Sequence, residues 1–335
     1  MTLRVGVNGF GRIGRYALRA AMRRDDVEIV AVNSRAESNV LAHLFQYDSI
    51  HGTFDAEINF DDDAIYVDSK EVRIFREVND VSKLPWGDLD VDVVLESTGI
   101  FRSREDAAMH LSAGARKVII AAPGKGVDIT VVMGVNQEEY LPDRHDVISN
   151  ASCTTNALAP IIKILNDAYG INRGLMTTIH SYTMDQRLLD GSHKDLRRAR
   201  ASAMNIVPTT TGAAKAVGEV IPEMRGKLDG LAMRVPTPNV SLVDLVIDLK
   251  TKASIEEINN AVCEASHDRF EGIVLYTEKE LVSVDYQSSP YSAIFDAPIT
   301  YVVDGMLAKV MAWYDNESGY TERLLDLACY IGKEL

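Results

Sequence analysis

Val7-Asn8-Gly9-Phe10-Gly11-Arg12-Ile13-Gly14-Arg15 decides the fold. An alternating apolar run, Leu3 to Val7, leads into it, and a helix-periodic run through Leu18, Ala21 and Met22 leads out. Val27 to Val32 then reads as a second strand. In a strand–Gly-x-Gly-x-x-Gly–helix–strand unit the glycines allow a tight turn, close approach of backbone to a pyrophosphate, and close helix–strand packing. A glycine-rich turn alone is weak evidence, and a plain βαβ turn competes with it. In this context Gly9, Phe10, Gly11, Arg12, Ile13 and Gly14 are expected to cradle a dinucleotide.

The second strand ends Val32-Asn33-Ser34-Arg35. An acidic residue usually stands here to bind a ribose 2′-hydroxyl and repel a 2′-phosphate. Ser34 and Arg35 instead offer a hydroxyl and a guanidinium, which favour a 2′-phosphate. On this stretch alone Arg35 reads equally well as a solvated surface charge.

Residues 50 to 90 are acidic and turn-rich, with short strands at Ala64 to Val67 and Glu71 to Phe75. Buried strands follow at Val91 to Leu95, Lys117 to Pro123 and Asp146 to Ile148. Alternation with helical segments predicts a doubly wound parallel sheet, whose ligands sit at the carboxyl ends of the strands. Ser97, Thr98 and Gly99 occupy such an end. Beyond residue 152 long alternating runs appear: Leu175 to His180, Leu231 to Val235, Val240 to Leu249 and Leu307 to Tyr314. They predict a second, α+β domain with a mainly antiparallel sheet. The expected division is a dinucleotide-binding domain at 1–151, a catalytic domain at 152–316, and a C-terminal helix at 317–335 packing back on the first domain. A long polar loop, 181–205, is expected to be functional or at an interface.

Ser152-Cys153-Thr154-Thr155-Asn156 ends a polar turn and opens an apolar helix. Helix-end N–H groups and the helix dipole are expected to lower the Cys153 pKa and favour the nucleophilic thiolate. A lone cysteine is more often a buried small residue, but four polar neighbours suit a core poorly. His180 ends the run Thr177-Thr178-Ile179; such a histidine is more often structural, yet an activated thiol needs a base distant in sequence. Arg197, Arg198 and Arg200 read either as a surface charge run or, from their place in the long polar loop, as phosphate ligands alongside Arg234, and Thr209-Thr210-Thr211-Gly212 is a candidate anion seat before a helix.

The chain has 335 residues, about two domains' worth, and a net charge of −14. That balance disfavours nucleic acid or an acidic membrane as partner. Three cysteines without framework spacing suit a reducing cytosol. No signal peptide, membrane-length segment or zinc-spaced cluster is evident, so a cytoplasmic, metal-free protein is expected.

Taken together these stretches resemble the phosphorylating glyceraldehyde-3-phosphate dehydrogenases nearly end to end. The resemblance is carried by Val7 to Arg15, Ala151 to Asn156, His180-Ser181-Tyr182-Thr183, Asp195 to Arg200, Pro208 to Val217, Arg234-Val235-Pro236-Thr237-Pro238-Asn239-Val240-Ser241, and Trp313-Tyr314-Asp315-Asn316-Glu317. It implies that Cys153 attacks the aldehyde, that His180 is the base, and that inorganic phosphate cleaves the resulting thioester. It implies that Thr183, Asp185 and Arg234 hold the substrate's phosphate, and that Ser152, Thr154, Thr211 and Gly212 hold the attacking one, with Arg198 near both. Asn316 would bond the nicotinamide carboxamide, with Tyr320 also at the cofactor. The 181–205 loop would lie at the core of a homotetramer.

Three departures stand out. Ala157 replaces a second cysteine found in many relatives. Glu77-Val78-Asn79-Asp80 replaces an arginine-bearing stretch near the adenine. Gly191-Ser192 replaces the Leu-Pro of NAD-specific bacterial relatives. Ser34, Arg35 and Ser192 together predict that NADP is accepted, and preferred to NAD. The competing functions are an erythrose-4-phosphate dehydrogenase and, against the acidic charge balance, a non-catalytic nucleotide- or RNA-binding protein.

Overall fold

The computed structural model describes residues 2–77 and 80–335. Val78 and Asn79, part of the adenine-side departure, lie outside the described residues. The chain divides into two compact units: Met1–Val131 with Gln137–Ala151 and Thr321–Leu335, and Val132–Asn136 with Ser152–Tyr320.

In the first unit the Leu3–Asn8 strand lies inside a nine-stranded sheet among the described residues. Val27–Asn33 and then Lys70–Phe75 run parallel on one side of it. Val93–Glu96, Lys117–Ile120, Val147–Ser149 and Ile129–Thr130 run parallel on the other. Ala64–Val67 and Ile58–Phe60 close the first side antiparallel. The chain therefore leaves Leu3–Asn8 toward one side and later builds out the other. That makes the carboxyl end of this strand the topological switch point, where open α/β sheets bind ligands.

The glycine turn sits at that end. Gly9 adopts φ +99°, and a Cβ on it would meet the Thr98 nitrogen at 2.8 Å. Gly14, in the Arg12–Ala21 helix, lies so near the strand that a Cβ would stand 2.1 Å from the Gly9 carbonyl oxygen. Gly11, the helix N-cap, has nothing within 4 Å of its Cβ position. One glycine therefore sets the turn, one the helix–strand approach, and one leaves open space.

In the second unit an eight-stranded sheet among the described residues runs Val207–Thr210, Leu228–Val235, Ile171–Ser181, Ser241–Leu249, Leu307–Tyr314, Ala293–Asp296, Val274–Thr277, with Tyr301–Val303 beside Leu307–Tyr314. It is mainly antiparallel, as expected. Two pairs are parallel, Ile171–Ser181 with Leu228–Val235 and Val274–Thr277 with Ala293–Asp296. The Cys153–Tyr169 helix packs across the sheet through Leu158, Ile161, Ile162 and Leu165, all buried. Gly170, at φ +65°, ends that helix and turns the chain directly into Ile171–Ser181.

The two helix glycines separate by experiment. Gly14→Ala should lower thermal stability by about 1–3 kcal/mol, the usual cost of overpacking. Gly11→Ala should leave the melting temperature unchanged and weaken dinucleotide affinity. A calorimetric scan and a binding titration on each variant check both.

Candidate active site

Ser152 caps the Cys153–Tyr169 helix: its hydroxyl accepts the Thr155 N–H at 3.0 Å. Cys153 is thus the first helical residue, where backbone N–H groups lack intrahelical partners. Its Sγ lies 3.5 Å from His180 Nε2, at the end of the Ile171–Ser181 strand. His180 Nδ1 is 2.7 Å from the Ser181 carbonyl oxygen. The tautomer protonated on Nδ1 donates there, with Arg234 donating to the same carbonyl rather than to Nδ1, and it leaves the Nε2 lone pair facing the thiol.

Register brings the third member in. His180 and Arg234 are partners across the parallel pair of strands. Arg234 donates to the Ser181 carbonyl at 2.9 Å, stands 2.8 Å from His180 Nδ1, and reaches Thr183 Oγ1 at 3.5 Å. Its Nε is buried without a hydrogen-bond partner. Arg234 forms no ion pair among the described residues. Arg198 differs: its guanidinium is paired with Asp185 and donates to Thr209 Oγ1 at 2.9 Å.

These surroundings set the proton affinities. Burial, with the Arg234 charge second, pushes His180 down to about 3, so the imidazole is neutral. Burial also pushes the Cys153 thiol up, against the pull of Arg234 and of Thr154. The expectation of a lowered thiol pKa is therefore corrected for the unliganded site. The helix-end donor acts in the expected direction, but desolvation outweighs it. Both shifts favour the neutral thiol and neutral imidazole as the resting pair.

Beneath the thiol, Tyr314 Oη lies 2.8 Å from both Thr154 Oγ1 and Thr178 Oγ1. Its ring meets His180 edge-on at 5.9 Å. The Thr154 hydroxyl, expected at a phosphate, is thus engaged in the protein interior. Thr211 Oγ1 accepts the Ala213 N–H at 3.2 Å, and Gly212 caps the Ala213–Val220 helix. Ser241 ties this end of the sheet together. Its hydroxyl accepts the Ser181 N–H at 3.1 Å and donates to Asn316 Oδ1 at 2.9 Å, which fixes the Asn316 amide with its NH₂ as the remaining donor. Val240, at φ +64°, is strained for a β-branched residue; the Ser181 hydroxyl donates to its carbonyl at 2.7 Å. Tyr320 is buried, and Ser192 is exposed.

In the first unit a cavity of about 290 Å³ is lined by Gly9, Gly11, Asn33, Ser34, Arg35, Glu77, Ser97 and Thr98, among others. Gly11 leaves open space at the N-terminus of the Arg12–Ala21 helix, where backbone N–H groups favour an anion. Arg35 is exposed and makes no hydrogen bond or ion pair among the described residues. The Arg12 guanidinium is committed to Asp48, and Phe10 stacks on Phe45 in the core with centroids 6.4 Å apart. Neither Arg12 nor Phe10 lines the cavity. Gly99, at φ +72°, continues the Thr98 turn.

Tyr314, Thr178 and Ser241 were not singled out from sequence. Each is a polar residue at an inward position of an alternating strand, and that is the only signal they give. No group of three or more histidine, cysteine or acidic residues among the described residues could hold a metal ion. No described helix is long and apolar enough to cross a membrane.

Family models agree with this division. Residues 3–104 match the glyceraldehyde 3-phosphate dehydrogenase NAD binding domain, and residues 152–316 match the C-terminal domain of the same family. A glyceraldehyde-3-phosphate dehydrogenase of Geobacillus stearothermophilus is 57% identical over 334 residues, 100% of this chain and 99% of the relative. Glyceraldehyde-3-phosphate dehydrogenase 1 of Bacillus subtilis is 57% identical over the same shares, and a Streptomyces coelicolor glyceraldehyde-3-phosphate dehydrogenase is 52% identical over 100% of both chains. With a thiol, a neutral imidazole and a guanidinium without a counter-ion assembled in the second unit, and a glycine-lined cavity in the first, the chain belongs to the glyceraldehyde-3-phosphate dehydrogenase family.

Proposed function

We propose that this protein oxidises glyceraldehyde 3-phosphate, in the presence of inorganic phosphate, to 1,3-bisphosphoglycerate. The observation that carries this reading is the Cys153–His180–Arg234 cluster, with Sγ 3.5 Å from Nε2 and a cation beside Nδ1. Cys153 Sγ attacks the aldehyde carbon, and its proton passes to His180 Nε2. The substrate's phosphate is drawn by Arg234, whose Nε lacks a partner, and by the Thr183 hydroxyl. Arg198 can turn from Asp185 toward the same anion; Asp185 itself, a carboxylate, serves as the counter-ion of Arg198 rather than as a phosphate ligand. A bound nicotinamide would supply the hydride acceptor for oxidation of the thiohemiacetal on Cys153 to a thioester. The Asn316 NH₂, oriented by Ser241, is the donor for its carboxamide. Inorganic phosphate, held at the helix N-termini of Cys153–Tyr169 and Ala213–Val220 by Ser152, Thr211, Gly212 and the backbone N–H of Thr154, whose hydroxyl is engaged with Tyr314, then attacks the thioester and displaces the Cys153 thiolate.

Cys153→Ser should abolish phosphate-dependent NAD(P)H formation from glyceraldehyde 3-phosphate while leaving cofactor binding intact. His180→Asn should lower kcat by roughly 10²–10⁴-fold, the usual worth of a general base. Arg234→Leu should raise KM for the aldehyde and spare cofactor affinity. Steady-state kinetics with glyceraldehyde 3-phosphate beside erythrose 4-phosphate check these variants, and higher kcat/KM for the four-carbon aldehyde would overturn the substrate assignment.

For the cofactor, the reading is that NADP is accepted and preferred to NAD. Ser34 and the uncommitted Arg35 line the first unit's cavity and suit a 2′-phosphate. Glu77 lines it too, and its carboxylate opposes one. A homotetramer, with Ser192 reaching a neighbour's cofactor, rests on the family resemblance, and a cytoplasmic location rests on three cysteines without framework spacing. Initial rates with NADP and NAD side by side test the preference. Ser34→Asp combined with Ser192→Pro should raise KM for NADP and spare NAD, and Glu77→Gln should strengthen the NADP preference. A wild type that strongly prefers NAD would overturn the reading.

A further inference from the structure

Three polar residues stand in one row across the centre of the first unit's sheet. Asn8 is the register partner of Asn33 on one side and of Glu96 on the other. Each is the last residue of its strand, at the switch point. They are 1%, 3% and 1% exposed. A carboxylate this deep is costly unless its oxygens are fully bonded.

They are. Glu96 Oε1 accepts the Thr98 N–H at 2.8 Å and the Thr98 hydroxyl. Oε2 accepts the Asn8 side-chain amide and lies 3.2 Å from His110 Nε2. Behind the histidine, Trp86 Nε1 donates to His110 Nδ1 at 3.0 Å. An indole N–H can only donate, so Nδ1 must accept, and the imidazole proton is on Nε2, aimed at Glu96. Trp86 thereby selects the tautomer. It is itself fully buried, and Gly6 makes room for it: a Cβ there would meet the indole ring at 2.9 Å.

The donors that Glu96 gathers shape the cavity. Asn8 precedes Gly9, and Thr98 precedes Gly99; both glycines have positive φ. Asn8 Oδ1 accepts the Asn33 side-chain amide at 2.8 Å, and Asn33, which precedes Ser34, also donates to the Glu77 carbonyl. The Ser97 hydroxyl closes the ring on the Gly9 carbonyl at 2.7 Å. Asn8, Gly9, Asn33, Glu77, Ser97 and Thr98 all line the cavity.

We propose that Glu96, oriented by His110 and Trp86, is a positioning residue for cofactor binding: one buried carboxylate holds the three strand ends and two glycine turns in the shape that receives the dinucleotide. This rests on the cofactor reading above. Glu96→Gln keeps the size but turns an NH₂ toward donors. NAD(P) affinity, measured by titration, should fall roughly ten- to a hundredfold, the worth of one hydrogen bond to a charged group. kcat at saturating cofactor, and the alkylation rate of Cys153 in the cofactor-free protein, should not change. His110→Gln retains an acceptor for Trp86 and a donor for Glu96, so it should bind cofactor nearly as wild type does, whereas His110→Leu should bind weakly. Wild-type affinity in Glu96→Gln, equal affinities in the two His110 variants, or a parallel loss of Cys153 alkylation would each overturn the proposal. Should Glu96→Gln fail to fold, the His110 pair decides it. Wild type binding neither NAD nor NADP would instead remove the cofactor reading itself.

Discussion

A guanidinium without a counter-ion, held 2.8 Å from the base, governs the chemistry of the second unit. Arg234 opposes protonation of His180 and favours ionisation of Cys153 at the same time. An imidazole next to a cation stays neutral, so it is free to take a proton. A desolvated cation also leaves the site one anion short. In the proposed reaction a dianionic substrate would supply that anion, and in doing so would relieve the charge that disfavours imidazolium. Substrate binding and proton transfer are thus coupled through one side chain. Arg198, already neutralised by Asp185, does not impose the same demand.

Both units use the same topological device. In the first, Asn8, Asn33 and Glu96 end parallel strands in register. In the second, His180 and Arg234 are partners near the carboxyl ends of a parallel pair within an otherwise mainly antiparallel sheet. Parallel neighbours end on the same side, so polar residues at equivalent register gather there. An antiparallel neighbour brings its start, not its end. The parallel pair is what lets a base and a cation meet although 54 positions separate them.

Much of this was legible from sequence because it depends on local pattern. The glycine turn, the Ala64–Val67 and Leu307–Tyr314 strands, and Cys153 at a helix start all follow from neighbours within one or two turns of chain. Alternation does not encode strand direction, so the parallel pair was hidden. The Ile171–Ser181 strand begins four positions before Leu175 because Gly170 permits an immediate turn out of the helix. Side-chain destinations were the least legible. Arg12 finds Asp48, and the Thr154 hydroxyl finds Tyr314, 160 positions away. Glu96 meets Asn8 and His110, 88 and 14 positions away, which no local pattern announces. The thiol's proton affinity was misjudged for a related reason: helix-end electrostatics can be read from sequence, whereas depth of burial cannot.

Burial also explains why the reaction has one proton path. Tyr314 sits under the thiol with its hydroxyl between Thr154 and Thr178, and desolvation pushes it well above the usual phenol range. It keeps its proton and cannot compete as a base. Its hydroxyl can donate to only one threonine and must accept from the other, and none of these three neutral hydroxyls is basic enough to take the Cys153 proton. Solvent is excluded from the same floor, since Thr154, Thr178 and Tyr314 are all buried. The Nε2 lone pair of His180 is left as the one basic acceptor facing Sγ. Depth costs this site an easily ionised thiol, and it confers directionality: the proton that leaves Cys153 goes to the group placed to return it.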